Sequence, residues 1–311
     1  MRVVINKSIN GWIIIDKQIG VTSRQIVTKI SKALNIKKVG HGGTLDPLAT
    51  GVLPIAIGEA TKVISFIQNK KKRYSFIIKW GESTDTDDKE GKILEKSQYR
   101  PTQEEIKKTL TSFVGNIQQK PPIYSAIKIN GQRSYKMARK NIEINHKYRP
   151  IKIYGLILRN IINNDSAEFE VKCGKGTYVR SLARDLAEKL NTKGHIISLR
   201  RLSVGSFEEK DSIFIDFYKE IIHSPSILNK ILPVETVLDD IPALFLNEIE
   251  TRRVQQGQKI HLKSLQFIKE FEVNYPNYNE FEKICAIKDK NLIALIKIED
   301  GIIRPSRIIN F

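Results

Sequence analysis

The sequence has only two cysteines and five histidines in 311 residues, and no apolar run nears the roughly 18 residues a membrane-spanning helix needs. Each shortage excludes something. Cys173 and Cys285 are too few and too far apart for a metal quartet or a disulfide framework. Cys173 falls on the apolar side of a predicted strand and reads as a buried structural thiol. There is no His-Glu-x-x-His pair for zinc and no Gly-x-Ser-x-Gly elbow for a serine hydrolase. The start, Met1-Arg2-Val3-Val4-Ile5-Asn6-Lys7, has too short an apolar segment for a signal peptide and no small-residue cleavage site, so a cytoplasmic location is expected. Chemistry that needs no metal and no redox cofactor fits best, built on carboxylate, tyrosine and arginine groups.

What the chain has in excess is positive charge, +18 with a pI near 9.7. Residues 245–311 hold 11 Lys and Arg against 9 Asp and Glu, which leaves +16 on the first 244 residues. A compositional drift would spread charge more evenly. A basic surface concentrated on the larger part points to a polyanion partner, foremost nucleic acid.

The pattern of apolar residues predicts an α+β chain. Trp12 to Asp16 reads as a short buried strand. Thr22 and Gln25 form a capping box for a helix with Ile26, Ile30, Ala33 and Leu34 inward. Tyr74, Phe76, Ile78 and Trp80 share one face of an alternating strand. Thr102 and Glu105 start another helix, with Ile106, Leu110 and Phe113 as its stripe, and Ile151 to Ile162 is a long β-prone run. Ala167, Phe169, Val171 and Cys173 alternate; Gly174 to Thr177 turns the chain; Val179, Leu182, Ala183, Leu186, Ala187 and Leu190 form a helical stripe. Pro225, Pro233 and Pro242 then interrupt a weakening pattern. From about Leu244, a helix capped by Asn247 and Glu250 precedes short strands at 284–288, 292–298 and 302–304. This predicts two domains, 1–243 and 244–311, the second a small β-barrel.

Five segments could carry chemistry. In Gly40-His41-Gly42-Gly43-Thr44-Leu45-Asp46-Pro47-Leu48-Ala49-Thr50-Gly51, the glycines permit positive φ, and Pro47 keeps Asp46 out of the helical region. Taken alone it fits a turn with a solvated Asp as well as a presented carboxylate. Lys70-Lys71-Lys72-Arg73-Tyr74 reads as a solvated basic face or as a grip on a phosphate backbone beside a stacked base. Thr84-Asp85-Thr86-Asp87-Asp88 fails the EF-hand pattern, because Lys89 and Glu90 stand where an oxygen ligand and Gly are required, and an acidic surface loop is the default. Pro121-Pro122-Ile123-Tyr124-Ser125-Ala126 is a rigid turn. Gly174-Lys175-Gly176-Thr177-Tyr178-Val179-Arg180 lacks the third glycine of a dinucleotide fingerprint, yet puts Tyr178 and Arg180 at a helix start where both can face one site.

In order along the first 205 residues, these segments resemble the TruB family of tRNA pseudouridine synthases. The carrying blocks are Asp16-Lys17-x-x-Gly20-x-Thr22-Ser23, the His41–Gly51 loop, Gly58-Glu59-Ala60-Thr61-Lys62, Arg73-Tyr74, Thr84-Asp85-Thr86, Pro121-Pro122-x-Tyr124-Ser125-Ala126, Gly176-Thr177-Tyr178-x-Arg180-Ser181 and Leu199-Arg200-Arg201-Leu202. Seven collinear blocks before the last are specific where any single one is not. The resemblance implies a pseudouridine synthase fold around a mixed, curved central sheet, with a PUA-like RNA-binding domain at 244–311. It implies isomerisation of uridine 55 in the T loop of tRNA, with no cofactor or metal, and a chain acting as a monomer on the T stem-loop.

The same resemblance assigns roles. Asp46 would be the catalytic carboxylate, giving a covalent intermediate; attack at C1′ and elimination to a glycal both remain open. Tyr74 would stack on the flipped base, Tyr178 would sit over the sugar and take the C5 proton, and Arg180 would pair with Asp46. His41 would help extrude the nucleotide and Leu199 would line the pocket. Gln18 and Asn141 depart from the family's usual Pro and Gly, and Gln18 is expected to loosen the early loop. Two other readings stand beside this one: a non-catalytic tRNA-binding or folding chaperone, and a nucleotide-dependent enzyme built on the glycine turns, which neither turn completes.

Overall fold

A computed structural model describes residues 9–129, 131–140, 142–215 and 225–310; the chain start and Asn141 lie outside them. Its centre is a ten-stranded mixed sheet among these residues. The strands are β1 (Gly11–Lys17), β2 (Val39–His41), β3 (Thr50–Ile57), β4 (Lys72–Trp80), β5 (Gly115–Gln119), β6 (Arg149–Asn163), β7 (Ser166–Cys173), β8 (Gly194–Val204), β9 (Phe207–Glu208) and β10 (Ile213–Phe214). The order is β10-β1-β3-β8-β4-β7-β6-β5, with β2 alongside β3 and β9 alongside β8. β1 runs parallel to β10 and β3 parallel to β8, while the other pairs are antiparallel. Register breaks in β4–β8 and β6–β7 insert bulges, which bend and twist a sheet locally.

The alternation that predicts β4 is seen in its burial. Phe76, Ile78 and Trp80 are nearly sealed from solvent, and Phe169 of β7 meets Phe76 at 5.5 Å and Trp80 edge-on at 6.0 Å. Helices α1 (Ser23–Leu34), α2 (Gln103–Leu110) and α3 (Val179–Lys189) bury Ile26 and Ile30, Ile106 and Leu110, and Leu182, Ala183, Leu186 and Ala187 in the same core. All three expected capping boxes form: Thr22 with Gln25, Thr102 with Glu105 and Asn247 with Glu250.

Two central strands escape the sequence reading. β3 carries Pro54, which removes a ladder donor and argues against a central strand. The chain solves this by position, since β3 pairs with β8 at Thr50 and Gly51 and with β2 at Ile55 to Ile57, leaving Pro54 between the two ladders. In β8, Arg201 takes an inward position and breaks the apolar alternation. The residue is 1% exposed, and its guanidinium donates to the carbonyls of Val52 (2.7 Å) and Gly43 (3.0 Å).

The C-terminal strands form a curled five-stranded half-barrel, consistent with the expected PUA-like domain: Ala243–Phe245, Ile284–Lys288, Asn291–Glu299, Ile302–Ile308 and Ile260–His261, in that order, with no pairing between the outer two among the described residues. It docks on the main sheet through a shared apolar cluster in which Trp12, Val52 and Val63 meet Cys285, Leu292, Leu295 and Ile309. The Gly58–Lys62 block secures the contact, Glu59 accepting from the Asn310 N–H (2.8 Å) and Lys62 Nζ donating to the Ile308 carbonyl (2.7 Å).

Candidate active site

Asp46 lies on the loop between β2 and β3, and its neighbours in the chain are held by the segment after β1. The buried Ser23 hydroxyl accepts from the Leu45 N–H (2.9 Å) and donates to the Leu45 carbonyl (3.1 Å). The Pro47 carbonyl accepts from the Gly20 N–H (2.8 Å) and from Lys17 Nζ (3.2 Å). Lys17 is wholly buried, and its ammonium also reaches the carbonyls of Gln18 (2.9 Å) and Val21 (2.6 Å). Burial lowers its pKa to about 8, with the Asp46 charge acting the other way. Gln18 contributes a carbonyl here, which any residue supplies, so the expected loosening has no basis in these contacts. Sequence reasoning found Lys17 only as a motif letter; as the last residue of β1, next to Asp16, it gives no pattern that marks it as buried. The loop enters β3 through Gly51, at φ +99, where a Cβ would stand 2.2 Å from the Arg201 carbonyl oxygen.

The side chain of Asp46 is held from the opposite side. Arg180, in the first turn of α3 and nearly sealed from solvent, donates from Nε to Asp46 Oδ2 at 2.9 Å. Its Nη1 donates to the Thr86 carbonyl (2.8 Å) and its Nη2 to the Tyr124 carbonyl (3.0 Å), with Asp88 Oδ2 3.6 Å from Nη1. Four of the sequence blocks therefore converge on one guanidinium. The Asp46 side chain keeps 35% of its surface exposed, so its carboxylate is oriented by the protein and still open to a ligand. An arginine fixed by three acceptors orients its carboxylate at small entropic cost.

Tyr178 stands at the N-cap of α3, its backbone gripped by Gln119: the Tyr178 N–H donates to Oε1 (2.8 Å) and its carbonyl accepts from Nε2 (3.1 Å). Burial and then the Asp46 charge raise its phenol pKa, with Ser125 and Arg180 opposing. Tyr74 is half-buried on β4, directly across from Arg201 of β8. Burial raises its phenol as well, and the Arg201 guanidinium opposes it. His41 is lowered by burial and by Arg201, and its buried Nδ1 has no hydrogen-bond partner among the described residues. Leu199 is 6% exposed, in the core opposite Phe76. The structure thus joins Asp46 to Arg180 directly, places both tyrosines within its field, and sets His41 and Tyr74 around Arg201.

Two expectations change. The Thr84–Asp88 segment is no solvated acidic loop: Thr84, Asp87 and Asp88 are buried. Asp87 Oδ2 accepts from Arg184 Nη1 (2.8 Å), Arg184 also holds Asp185 and the Lys120 carbonyl, and Thr86 Oγ1 donates to Asp88 Oδ1 (2.6 Å). Acids here scaffold the arginines. Nor is Lys70–Arg73 a uniform basic face. Lys70 pairs with Asp239 and Asp240, Arg73 pairs with Glu170, and Lys72 turns inward to the carbonyls of Gln68 and Lys70; Lys71 stays outward, with no ion pair among the described residues.

No helix among the described residues is long and apolar enough to cross a membrane. Residues 31–179 match the TruB family pseudouridylate synthase N-terminal domain, and residues 180–239 match the tRNA pseudouridylate synthase B C-terminal domain. A protein of Rhodospirillum rubrum called tRNA pseudouridine synthase B is 44% identical over 98% of this chain and 97% of its own length. One of the same name from Ehrlichia canis is 39% identical over 96% and 97%. Among solved structures, an H/ACA RNP bound to a substrate RNA containing 2′-deoxyuridine aligns over 97% of this chain and 85% of the other with a TM-score of 0.70 at 22% identity. The archaeal box H/ACA sRNP Nop10–Cbf5 complex gives 0.69 at 21%, covering 99% and 88%. These two establish a shared fold. With family models matching residues 31–239 and relatives this similar along nearly the whole chain, the chain belongs to the TruB family of pseudouridylate synthases.

Proposed function

We infer that the protein isomerises uridine to pseudouridine in tRNA, at position 55 of the T loop, with Asp46 as nucleophile. One observation carries the assignment of Asp46: its carboxylate, 2.9 Å from Arg180 Nε, is the end of a network that fixes it while leaving it open to ligand. A stacked base must first leave the loop, at a cost of a few kcal/mol that phosphate contacts on the basic surface offset. His41 aids extrusion, Tyr74 stacks on the freed base and Leu199 backs the pocket.

Asp46 then attacks C1′ of the sugar as the C1′–N1 bond breaks. The uracil turns to present C5, the C1′–C5 bond forms, and the Asp46–C1′ bond breaks. The proton on C5 must leave and N1 must gain one. Tyr178, whose phenol is kept protonated by burial and by the Asp46 charge, takes the C5 proton as it passes its own to the released carboxylate, from which a proton returns to N1. The reactants and product are isomers, so no other reagent enters. Residues 1–243 carry this chemistry, and 244–311 act as a PUA-like RNA-binding module in a protein that works as a monomer.

The test is position-resolved pseudouridine mapping on bulk unmodified tRNA with wild type and Asp46→Asn. Product at position 55 with wild type and none with Asp46→Asn, at comparable tRNA affinity, is expected. Product that persists in the variant would remove Asp46 from its role.

A further inference from the structure

Outside the Asp46 site, a cavity of about 480 Å³ opens where β4 begins and β7 ends, lined by Asn69, Asn116, Lys152, Tyr154, Gly174 and Lys175 among others. The exposed Tyr154 ring organises it. Lys71 Nζ lies 4.4 Å from the ring centroid and Lys152 Nζ 5.3 Å from it. An electron-rich ring face lets ammonium groups gather that would otherwise repel each other. Lys152 is further fixed by its carbonyl, which accepts from the Gly174 N–H at 2.8 Å and ties it to the turn bearing Lys175.

Three features mark this as a site for an anion rather than a solvated face. Lys71, Lys152 and Lys175 are exposed, and none is in an ion pair among the described residues, whereas neighbouring Lys70, Arg73 and Arg159 are matched with carboxylates. Lys175 also adds to the positive field at the buried Lys72, whose pKa is lowered to about 8 chiefly by burial and then by Arg201. The carboxamides of Asn69 and Asn116 add neutral donors on the cavity wall.

Position identifies the ligand. Lys71 is three residues from Tyr74 and Lys175 three from Tyr178, so each lies at most about 11 Å of chain from a side chain of the Asp46 site. A nucleic-acid strand carries one phosphate per roughly 3.4 Å of helical rise, so this span corresponds to about three nucleotides. We propose that Lys71, Lys152 and Lys175, arrayed around Tyr154, bind the phosphodiester backbone of the substrate RNA within about three nucleotides of the flipped uridine. The proposal rests on the reading of tRNA as substrate. Here the protein reads no sequence: it sets the register of the strand, so that the uridine entering the site is chosen by its distance from a fixed phosphate.

The experiment measures tRNA affinity against salt for wild type and for Lys152→Gln/Lys175→Gln, with single-turnover pseudouridine formation at saturating enzyme. Each phosphate contact contributes about 0.7–0.9 to the slope of log K against log salt. The double variant should therefore lose about 1.4–1.8 of slope, so that a fourfold rise in salt weakens it about tenfold less than wild type. Its saturating rate should fall as well, because a strand whose register is not fixed presents the uridine to Asp46 less often. Tyr154→Phe keeps the ring and should bind as wild type, while Tyr154→Ala should weaken binding at low salt. An unchanged slope in the double variant overturns the proposal while leaving the catalytic reading intact. A wild type that neither binds nor modifies tRNA overturns both.

Discussion

Burial of Asp87 makes a prediction with a definite sign. Its carboxyl is raised from 3.8 to about 6, chiefly by burial, with Arg184 and Arg180 opposing and Asp185 and Asp88 adding to it. An acid that is weaker in the folded state binds more protons there between the two pKa values, so its contribution to stability falls as pH rises from about 4 to about 6 and is level above that. At 1.36 kcal/mol per unit, a shift of that size amounts to about 3 kcal/mol. The whole-protein profile would hide it. His41 is lowered by burial; Glu59 is lowered because the Asn310 N–H, Lys62 and Lys38 outweigh its desolvation, so both make stability rise with pH. The difference between wild type and Asp87→Asn isolates the group, because Arg184 keeps Asp185 and the Lys120 carbonyl in either protein. Urea unfolding at pH 4, 5, 6 and 7, followed through the buried Trp12 and Trp80, should show the Asn variant gaining about 2 kcal/mol on wild type from pH 4 to 7, the rest of the shift lying below pH 4. Parallel stability curves would refute the reasoning, and a gap that widened toward acid would reverse its sign.

Arg180→Lys should lower the single-turnover rate about 100-fold or more, since one ammonium nitrogen cannot span acceptors held by three separate guanidinium nitrogens, with tRNA affinity within twofold; tritium release from C5-labelled uridine in tRNA reads it. Gly51→Ala should cost about 3 kcal/mol or more in urea unfolding, because its Cβ would meet a backbone oxygen at positive φ and neither strand can yield. Ser23→Ala leaves a buried N–H and carbonyl of Leu45 without a partner and should cost about 1–3 kcal/mol. Its rate should fall by more than its affinity.

What could be read from the sequence divides by the range of the interaction. The three capping boxes are contacts between residues three apart, and all are legible. The alternation of β4 and β7 is legible because both strands bury one apolar face. β8 is hidden, because the physics that makes Arg201 acceptable inside the protein is supplied by carbonyls of Val52 and Gly43, about 150 residues upstream. The acids of Thr84–Asp88 read as a surface loop for the same reason, their arginines lying on α3. The Asp46–Arg180 pair spans 134 positions, and only the resemblance to a family joins them in the sequence. Periodicity carries no record of a partner met through folding.

The geometry also explains why short blocks scattered along the chain behave as one unit. The Asp16–Ser23 block fixes the backbone on either side of Asp46, through Ser23 on Leu45 and through Lys17 and Gly20 on Pro47. The Thr84–Thr86, Pro121–Ala126 and Gly176–Ser181 blocks fix its side chain, all through Arg180. One set sets the position of the carboxylate and the other its direction. In the proposed reaction, a carboxylate that meets C1′, withdraws, and leaves C5 room to take its place needs both settings to hold while its bonding changes. Rigidity placed in the neighbours rather than in Asp46 itself meets that demand, and it leaves about a third of the Asp46 side chain free for the substrate.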